Sequence, residues 1–299
     1  MLHISLVGST NSLQFIKAIE GNPSLKLSGI FDPSFQFDVP KNLRGYPVYY
    51  SFAELLKHSQ AIAFSSVENT YFPFIERAVQ FSKPVFLQST YYLSLEEHQH
   101  LVKLKDEAGV VIQLYHPFLY QGVIDEYAKR SKSPLYIDCH SSWEGEKNLL
   151  PIVRKQVSGI IPFLGNNIKR VTANTFSSLS EVPDIIQLRI DFNNGNMANI
   201  HVNSVEKGYT NTLRVFEYQS NFQIDLRNNE LQYTNNQSNP VLIGSSEEYS
   251  HDKLLKKQFD IFYKNVVNHT QPRNTIENEC ISYKIMEKVK EKLRVCIDI

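Results

Sequence analysis

Between Ser82 and Tyr120 the chain reads SKPVFLQSTYYLSLEEHQHLVKLKDEAGVVIQLYHPFLY, and few folds accommodate that order of signals. The apolar run Pro84 to Leu87 ends in the polar Gln88-Ser89-Thr90, and Ser94 then opens a helix with Glu97 at capping-box spacing. That helix runs from Leu95 to about Ala108, where Gly109 supplies a left-handed stop. Val110 to Leu114 follows as a second buried strand, leaving Tyr115-His116-Pro117 at its carboxyl end. The whole is one strand-helix-strand crossover. Open parallel sheets bind ligands outside the carboxyl ends of their strands, so Gln88-Ser89-Thr90 and Tyr115-His116 both fall where a site belongs.

The same grammar precedes this stretch. His3 to Gly8 is an apolar strand, Ser9 to Ser12 a polar loop, and Leu13, Ile16 and Ile19 recur at helical spacing. Leu25 to Phe31 is the next strand; it ends in Asp32, twenty-four positions after Gly8, and Pro33 breaks the chain. A short helix over Ser51 to Lys57, a strand over Ala61 to Phe64 and a helix over Tyr71 to Phe81 complete the series. Strand and helix alternate throughout, which predicts a doubly wound parallel sheet of Rossmann type up to about residue 118.

Beyond Tyr120 the pattern changes. Val123 to Lys129 reads as a helix, Leu135 to Asp138 as a strand with a polar loop around Trp143, and Asn148 to Leu164 as a helix. In that helix Leu150, Val153, Val157, Ile160 and Leu164 make one apolar stripe, and Pro151 sits in the first turn, where its missing donor costs little. From Ile185 the period becomes two: Ile186, Leu188, Ile190 and Phe192 alternate with polar residues, Asn193 to Asn196 turn the chain, and Ile200 and Val202 alternate on the return. Further strands fit Thr212 to Tyr218, Phe222 to Leu226 and Glu230 to Tyr233, and an Asn/Gln/Ser loop follows from Thr234 to Pro240. Two helices, about His251 to Asn268 and Thr275 to Leu293, close the chain. Residues 119–299 are therefore expected to form an α+β domain on an open antiparallel sheet, with the last helices packing back on the first domain.

Composition removes several function classes. Thirty-one basic and thirty-one acidic residues balance to zero, so neither nucleic acid nor an anionic membrane is an expected partner. No window approaches the roughly 18 uninterrupted apolar residues of a membrane span, and the amino terminus MLHISLVGST lacks both a basic and a long apolar region. Cys139, Cys280 and Cys296 are odd in number and scattered, which speaks for a reducing compartment and a cytoplasmic location.

A dinucleotide fingerprint asks for glycine at three places, for the tight turn, the backbone approach to pyrophosphate and the helix-strand packing. Gly8 supplies the first, while Thr10 and Leu13 stand at the others. Ser9, Thr10, Asn11 and Ser12 are candidate donors to a pyrophosphate at a helix amino terminus; the plainer reading is a polar loop that caps a helix. Asp32 is placed to bond an adenosine ribose, or simply to start a turn. A carboxylate there repels a 2′-phosphate, so the expected cofactor is NAD rather than NADP. No metal site is expected: Cys139-His140 has no partner at ligand spacing, and neither His98 with His100 nor His251 with His269 forms a cluster. Glu96-Glu97 and Glu247-Glu248 read as solvated faces.

The Ser82 to Tyr120 stretch, the "strand, asparagine-glycine turn, strand" from Ile185 to Val205 and the closing helices together resemble the Gfo/Idh/MocA oxidoreductases, the glucose-fructose oxidoreductase and inositol dehydrogenase group. The resemblance covers nearly the whole chain. Family members usually carry Glu-Lys-Pro where this chain has Gln88-Ser89-Thr90, so the lysine that reaches toward nicotinamide and substrate is replaced by Ser89. Ser65-Ser66-Val67 falls on the family's segment beside the cofactor, making Ser65, Ser66 and Gln88 implied cofactor neighbours, and Tyr71 falls where the family commonly has histidine. On the helix from Asn148 the family's aspartate and general-base histidine correspond to Pro151 and Lys155. Pro151, Lys155 and Ser158 share one helix face. Lys155 is then either a solvated lysine or a desolvated one whose lowered pKa lets it exchange protons near neutrality; His116, at a strand's carboxyl end, is the second catalytic candidate. The resemblance implies an NAD(P)-dependent oxidoreductase acting on a small molecule such as a sugar, polyol or related hydroxyl compound, assembled as a homodimer or tetramer. Loss of both usual proton-handling groups keeps a second class open, a non-catalytic relative that binds a dinucleotide, sugar or protein partner as sensor or scaffold.

Overall fold

The computed structural model describes residues 1–36, 39–66, 68, 70–177, 182–235, 239–244 and 250–295. Of the positions singled out above, Val67, Glu247, Glu248 and Cys296 lie outside the described residues, as do positions 236–238 of the Asn/Gln/Ser loop. The chain divides into two compact units, Met1–Tyr115 with Ser250–Cys280, and His116–Tyr249 with Ile281–Ile299.

The first unit alternates strand and helix: β1 (Leu2–Val7), α1 (Ser12–Glu20), β2 (Leu25–Phe31), α2 (Phe52–Lys57), β3 (Ala61–Phe64), α3 (Phe72–Gln80), β4 (Val85–Leu87), α4 (Leu95–Ala108) and β5 (Ile112–Leu114). Its five strands are all parallel, in the order β2-β1-β3-β4-β5. The order reverses between β1 and β3, so the topological switch point lies at the carboxyl ends of those two strands. The capping box is formed: Ser94 Oγ accepts from Glu97 N at 3.2 Å, Glu97 Oε2 accepts from Ser94 N at 2.7 Å, and Gly109 takes φ 63°. In α1 the inward positions are Ser12, Phe15, Ile16, Ala18 and Ile19, so Leu13, counted above in the apolar repeat, faces out at 38% exposure.

The second unit contributes α5 (Gly122–Arg130), β6 (Tyr136–Trp143), α6 (Leu150–Leu164), β7 (Ile168–Phe176), β8 (Ile185–Phe192), β9 (Met197–Asn203), β10 (Tyr209–Phe216), β11 (Ser220–Asp225), β12 (Glu230–Asn235) and β13 (Val241–Gly244). The eight strands form one sheet, β13-β12-β11-β10-β6-β9-β8-β7, antiparallel except for the β6–β9 pair. Three features differ from the sequence reading. Strand β6 continues through Trp143 because it pairs along its whole length with β10. Strands β7 and β13 were not legible, since they are the two edges of the sheet and bury few side chains; in β7 only Val171 is buried. Helix α6 is buried beyond its apolar stripe, with Arg154, Gln156 and Ser158 also inside.

Helix α7 (His251–Asn268) belongs to the first unit, and α8 (Ile276–Val295) begins there. Phe259 of α7 stacks on Phe86 of β4 at 4.5 Å and meets Phe15 of α1 edge-on at 5.5 Å. The buried Gln113 of β5 donates to the Gln258 carbonyl at 3.0 Å and accepts from Asn265 Nδ2 at 2.9 Å, which ties the last parallel strand to the same helix.

Candidate functional site

At the switch point the chain leaves β1 through Gly8, whose φ of 104° is left-handed and suits glycine. A Cβ there would lie 2.6 Å from Ser66 Oγ, 3.1 Å from Ser65 Oγ and 3.3 Å from Ser66 N, so the close approach of the two strand ends also favours glycine. Ser65 fastens them: its N–H donates to the Val7 carbonyl at 2.9 Å and its hydroxyl to the Gly8 carbonyl at 3.0 Å. Ser66 Oγ is buried and, among the described residues, has no partner in hydrogen-bond geometry. Asn11 precedes α1 in the left-handed conformation, φ 58°, with no side-chain cap.

The four loop residues divide by what their N–H groups do. Ser9 N–H is committed to Asp32 Oδ2 at 2.7 Å and Ser12 N–H to the Ser9 carbonyl at 3.4 Å, and the Ser12 side chain is buried. Among the described residues the N–H groups of Thr10, Asn11 and Leu13 have no acceptor, and all three residues are exposed. Unsatisfied donors at a helix amino terminus are a ready site for an anion.

Asp32 is 4% exposed and fully engaged. Oδ1 accepts from Ser34 N–H at 2.8 Å and Ser34 Oγ at 2.5 Å, and Oδ2 from Ser9 N–H and from the Tyr71 hydroxyl at 2.9 Å. Burial works against the carboxylate, but these hydrogen bonds, led by those from Ser34, outweigh it and hold the pKa below the ordinary aspartate value. Burial and then the Asp32 charge push the Tyr71 phenol up; Ser66 lies close enough to temper that rise although it is not in hydrogen-bond geometry. The sequence marked Tyr71 by position alone. Its bond to an acid thirty-nine residues earlier has no local signal.

Gln88 donates its N–H to the Phe64 carbonyl at 3.0 Å and lines a pocket of about 50 Å³ with Asn11, Gln14, Phe15, Tyr115, His251 and Leu255. Such a volume takes a water or a single small group, far short of the roughly 300 Å³ at which ligand pockets begin. Ser89 Oγ accepts from Tyr91 N–H at 3.1 Å, and the buried Thr90 donates to Glu279 at 3.4 Å, so no titrating side chain occupies positions 88–90. His251 was not a sequence candidate; it meets Tyr115 at 5.3 Å between ring centroids, a pairing made by topology.

In the second unit His116 is 2% exposed and uses both ring nitrogens. Nδ1 accepts from Leu119 N–H at 3.4 Å, which leaves Nε2 as the protonated nitrogen, donating to Ser158 Oγ at 3.0 Å and the Lys155 carbonyl at 3.2 Å. Burial lowers its pKa to about 3, so the ring is neutral at physiological pH. Lys155 is exposed as a whole residue, its ammonium has no acceptor among the described residues, and desolvation by burial lowers its pKa. The face shared by Pro151, Lys155 and Ser158 is thus not uniformly solvated: Ser158 is buried beneath His116. Among the described residues no group of three or more His, Cys, Asp or Glu is disposed to hold a metal, and no helix is long and apolar enough to cross a membrane. Cys139 and Cys280 are buried and form no disulfide among the described residues.

A parallel sheet with a glycine turn at its switch point, followed by a unit built on a mixed sheet, defines a Rossmann-type fold with an appended α+β domain. The match is to the architecture of the Gfo/Idh/MocA-type NAD(P)-binding oxidoreductases, at low sequence identity. UDP-N-acetylglucosamine 3-dehydrogenase GnnA from Acidithiobacillus ferrooxidans superposes with a TM-score of 0.82 at 17% identity, over 97% of each chain. An NAD binding oxidoreductase from Klebsiella pneumoniae gives 0.82 at 13%, over 98% of this chain and 96% of that one. An oxidoreductase from Agrobacterium radiobacter, solved with NAD+, L-tartaric acid and magnesium, gives 0.78 at 13%, over 98% and 96%. No family model and no curated protein sequence matches the chain.

Proposed function

We propose that the chain is an NAD-dependent oxidoreductase acting on a hydroxyl group of a sugar, polyol or related compound, its dinucleotide held by residues 1–118 and its substrate by 119–299. The observation that carries this reading is the set of open N–H donors of Thr10, Asn11 and Leu13 beside Gly8, at the switch point of a parallel sheet. The structural neighbours add a dehydrogenase of a nucleotide sugar and an oxidoreductase solved with NAD+. A bound nicotinamide supplies the hydride acceptor. The chain's part is to hold the pyrophosphate on the α1 amino terminus, with Ser65, Ser66 and Gln88 beside the cofactor, and to manage the substrate proton. Lys155 is the group we assign to that proton, because its desolvation lowers the pKa toward the range of a useful base. His116, buried with both nitrogens engaged, acts as a positioning residue that fixes the Lys155–Ser158 turn.

Asp32 repels a 2′-phosphate, so NAD is preferred to NADP. Calorimetry against both cofactors tests the reading: NAD binds in the micromolar to millimolar range and NADP more weakly. Tighter binding of NADP, or no binding of either at millimolar concentration, removes it. We further propose a cytoplasmic homodimer or tetramer, which light scattering on the purified protein checks.

A second reading has its own support. Positions 88–90 carry no titrating side chain, and general acid-base assistance is typically worth about 10²–10⁴ in rate, so a protein that keeps the nucleotide turn and has lost turnover fits the same residues. Cofactor binding without activity on a panel of sugars and polyols selects it.

A further inference from the structure

We propose that Tyr71 is a latch on Asp32 that weakens the chain's hold on the adenosine ribose of a dinucleotide, and that Ser66 is the alternative acceptor for its hydroxyl when the latch opens. The inference rests on the dinucleotide reading above and concerns how that site is regulated from within.

A carboxylate offers two oxygens and about four lone-pair directions. Asp32 already receives four donors, two on each oxygen. A ribose hydroxyl that bonds Asp32 must therefore displace one of them. Two are backbone donors and hard to move, Ser34 N–H in the turn that Asp32 itself starts and Ser9 N–H in the backbone leaving Gly8; the third, the hydroxyl of the exposed Ser34, is on the other oxygen, Oδ1. The fourth comes from a side chain on another element. Tyr71 precedes α3, and its hydroxyl can leave Oδ2 through a small side-chain movement without disturbing the turns.

A phenol that is 5% exposed cannot simply be abandoned, because a buried donor without an acceptor is costly. Ser66 removes that obstacle. Its Oγ is buried, has no hydrogen-bond partner among the described residues, and lies at the same strand end, 2.6 Å from where a Gly8 Cβ would stand. An unpaired Ser66 oxygen close enough to Tyr71 to act on its phenol, together with a filled Asp32 carboxylate, has the form of a two-position switch, with the hydroxyl on Asp32 in one position and on Ser66 when a ribose takes its place.

The test is calorimetric binding of NAD to the full chain and to Tyr71→Phe, Ser66→Ala and the double variant. Tyr71→Phe keeps the ring and frees one position on Asp32, so NAD should bind about tenfold tighter, as expected for a hydrogen bond to a charged group released from competition. Ser66→Ala should weaken NAD binding more when Tyr71 is present than in the Tyr71→Phe background. The serine arm keeps the proposal testable should Tyr71→Phe fold poorly. Equal or weaker NAD binding by Tyr71→Phe, or a Ser66→Ala effect independent of Tyr71, overturns the latch while leaving the cofactor reading intact. Failure of every form to bind NAD at millimolar concentration overturns both.

Discussion

The Phe118 ring lies flush against Gly159 of α6, so closely that a Cβ at position 159 would fall 1.4 Å from Phe118 Cζ. The same ring meets His116 edge-on at 4.5 Å. The turn after Tyr115 is thereby seated on the segment of α6 that carries Lys155 and Ser158, by a ring contact at one end and the His116 hydrogen bonds at the other.

Gly159→Ala should therefore destabilise the protein. Alanine is the better helix former by roughly 1 kcal/mol, but overpacking a filled interior costs about 1–3 kcal/mol or more, and here the overlap is with a ring that is itself 3% exposed. The overlap wins. Urea denaturation should give a net loss of about 2 kcal/mol, and Phe118→Leu in the same chain should recover part of it. Unchanged stability would show that the ring moves freely.

His116 should make the fold acid-sensitive in a defined window. Its folded pKa, about 3, is depressed below the ordinary 6.5. Above pH 6.5 the ring is neutral in both states and the stability is fully present; below that the unfolded chain takes up a proton that the folded chain refuses. Stability then falls by up to about 1.4 kcal/mol per pH unit as the pH drops toward 3. Melting curves should show His116→Gln losing less than the parent between pH 6.5 and 4, although it is less stable at pH 7.

Lys155→Ala should abolish turnover and leave NAD affinity intact, since the residue is assigned to the proton and not to the nucleotide turn. Burial disfavours its charged form, so kcat should rise with pH as the lysine deprotonates, with the rise centred below the ordinary lysine value of 10.5. His116→Gln should do less to kcat. A Lys155→Ala enzyme with normal kcat would transfer the proton role elsewhere.

Lys105 of α4 pairs with Glu277 of α8, with the lysine side chain 7% and the glutamate 32% exposed. Burial works against the Glu277 carboxylate, but the hydrogen bonds led by Lys105 keep its pKa below the ordinary value. Glu277→Gln leaves a nearly buried ammonium with Asp106 at 3.6 Å as its remaining acidic neighbour. The cost should be about 2 kcal/mol in urea denaturation, below the 3–5 kcal/mol of a fully buried pair because the glutamate is partly solvated. Lys105→Met with Glu277→Leu should restore most of it.

What the sequence by itself determined are the features whose causes lie within a few residues. The Ser94–Glu97 box and Gly109 bound α4 through bonds three to four residues long, and the period-two run from Ile185 to Val202 announces β8 and β9 because each strand buries one face. Gly8 was legible for the same reason, a tight turn directly after an apolar run. Tertiary structure alone decided the rest. The edge strands β7 and β13 exist through hydrogen bonds to neighbours and bury too little to leave a pattern. Asp32 could be read as a ribose acid or a turn starter, but that all its acceptor positions are taken depends on Tyr71, brought to it by the parallel sheet. His116 looked like a base at a strand end, and its neutrality follows from burial beneath α6, which no local pattern reports. Periodicity and caps are short-range physics, whereas the saturation of an acceptor and the dielectric around a ring are set by residues that only the completed fold brings together.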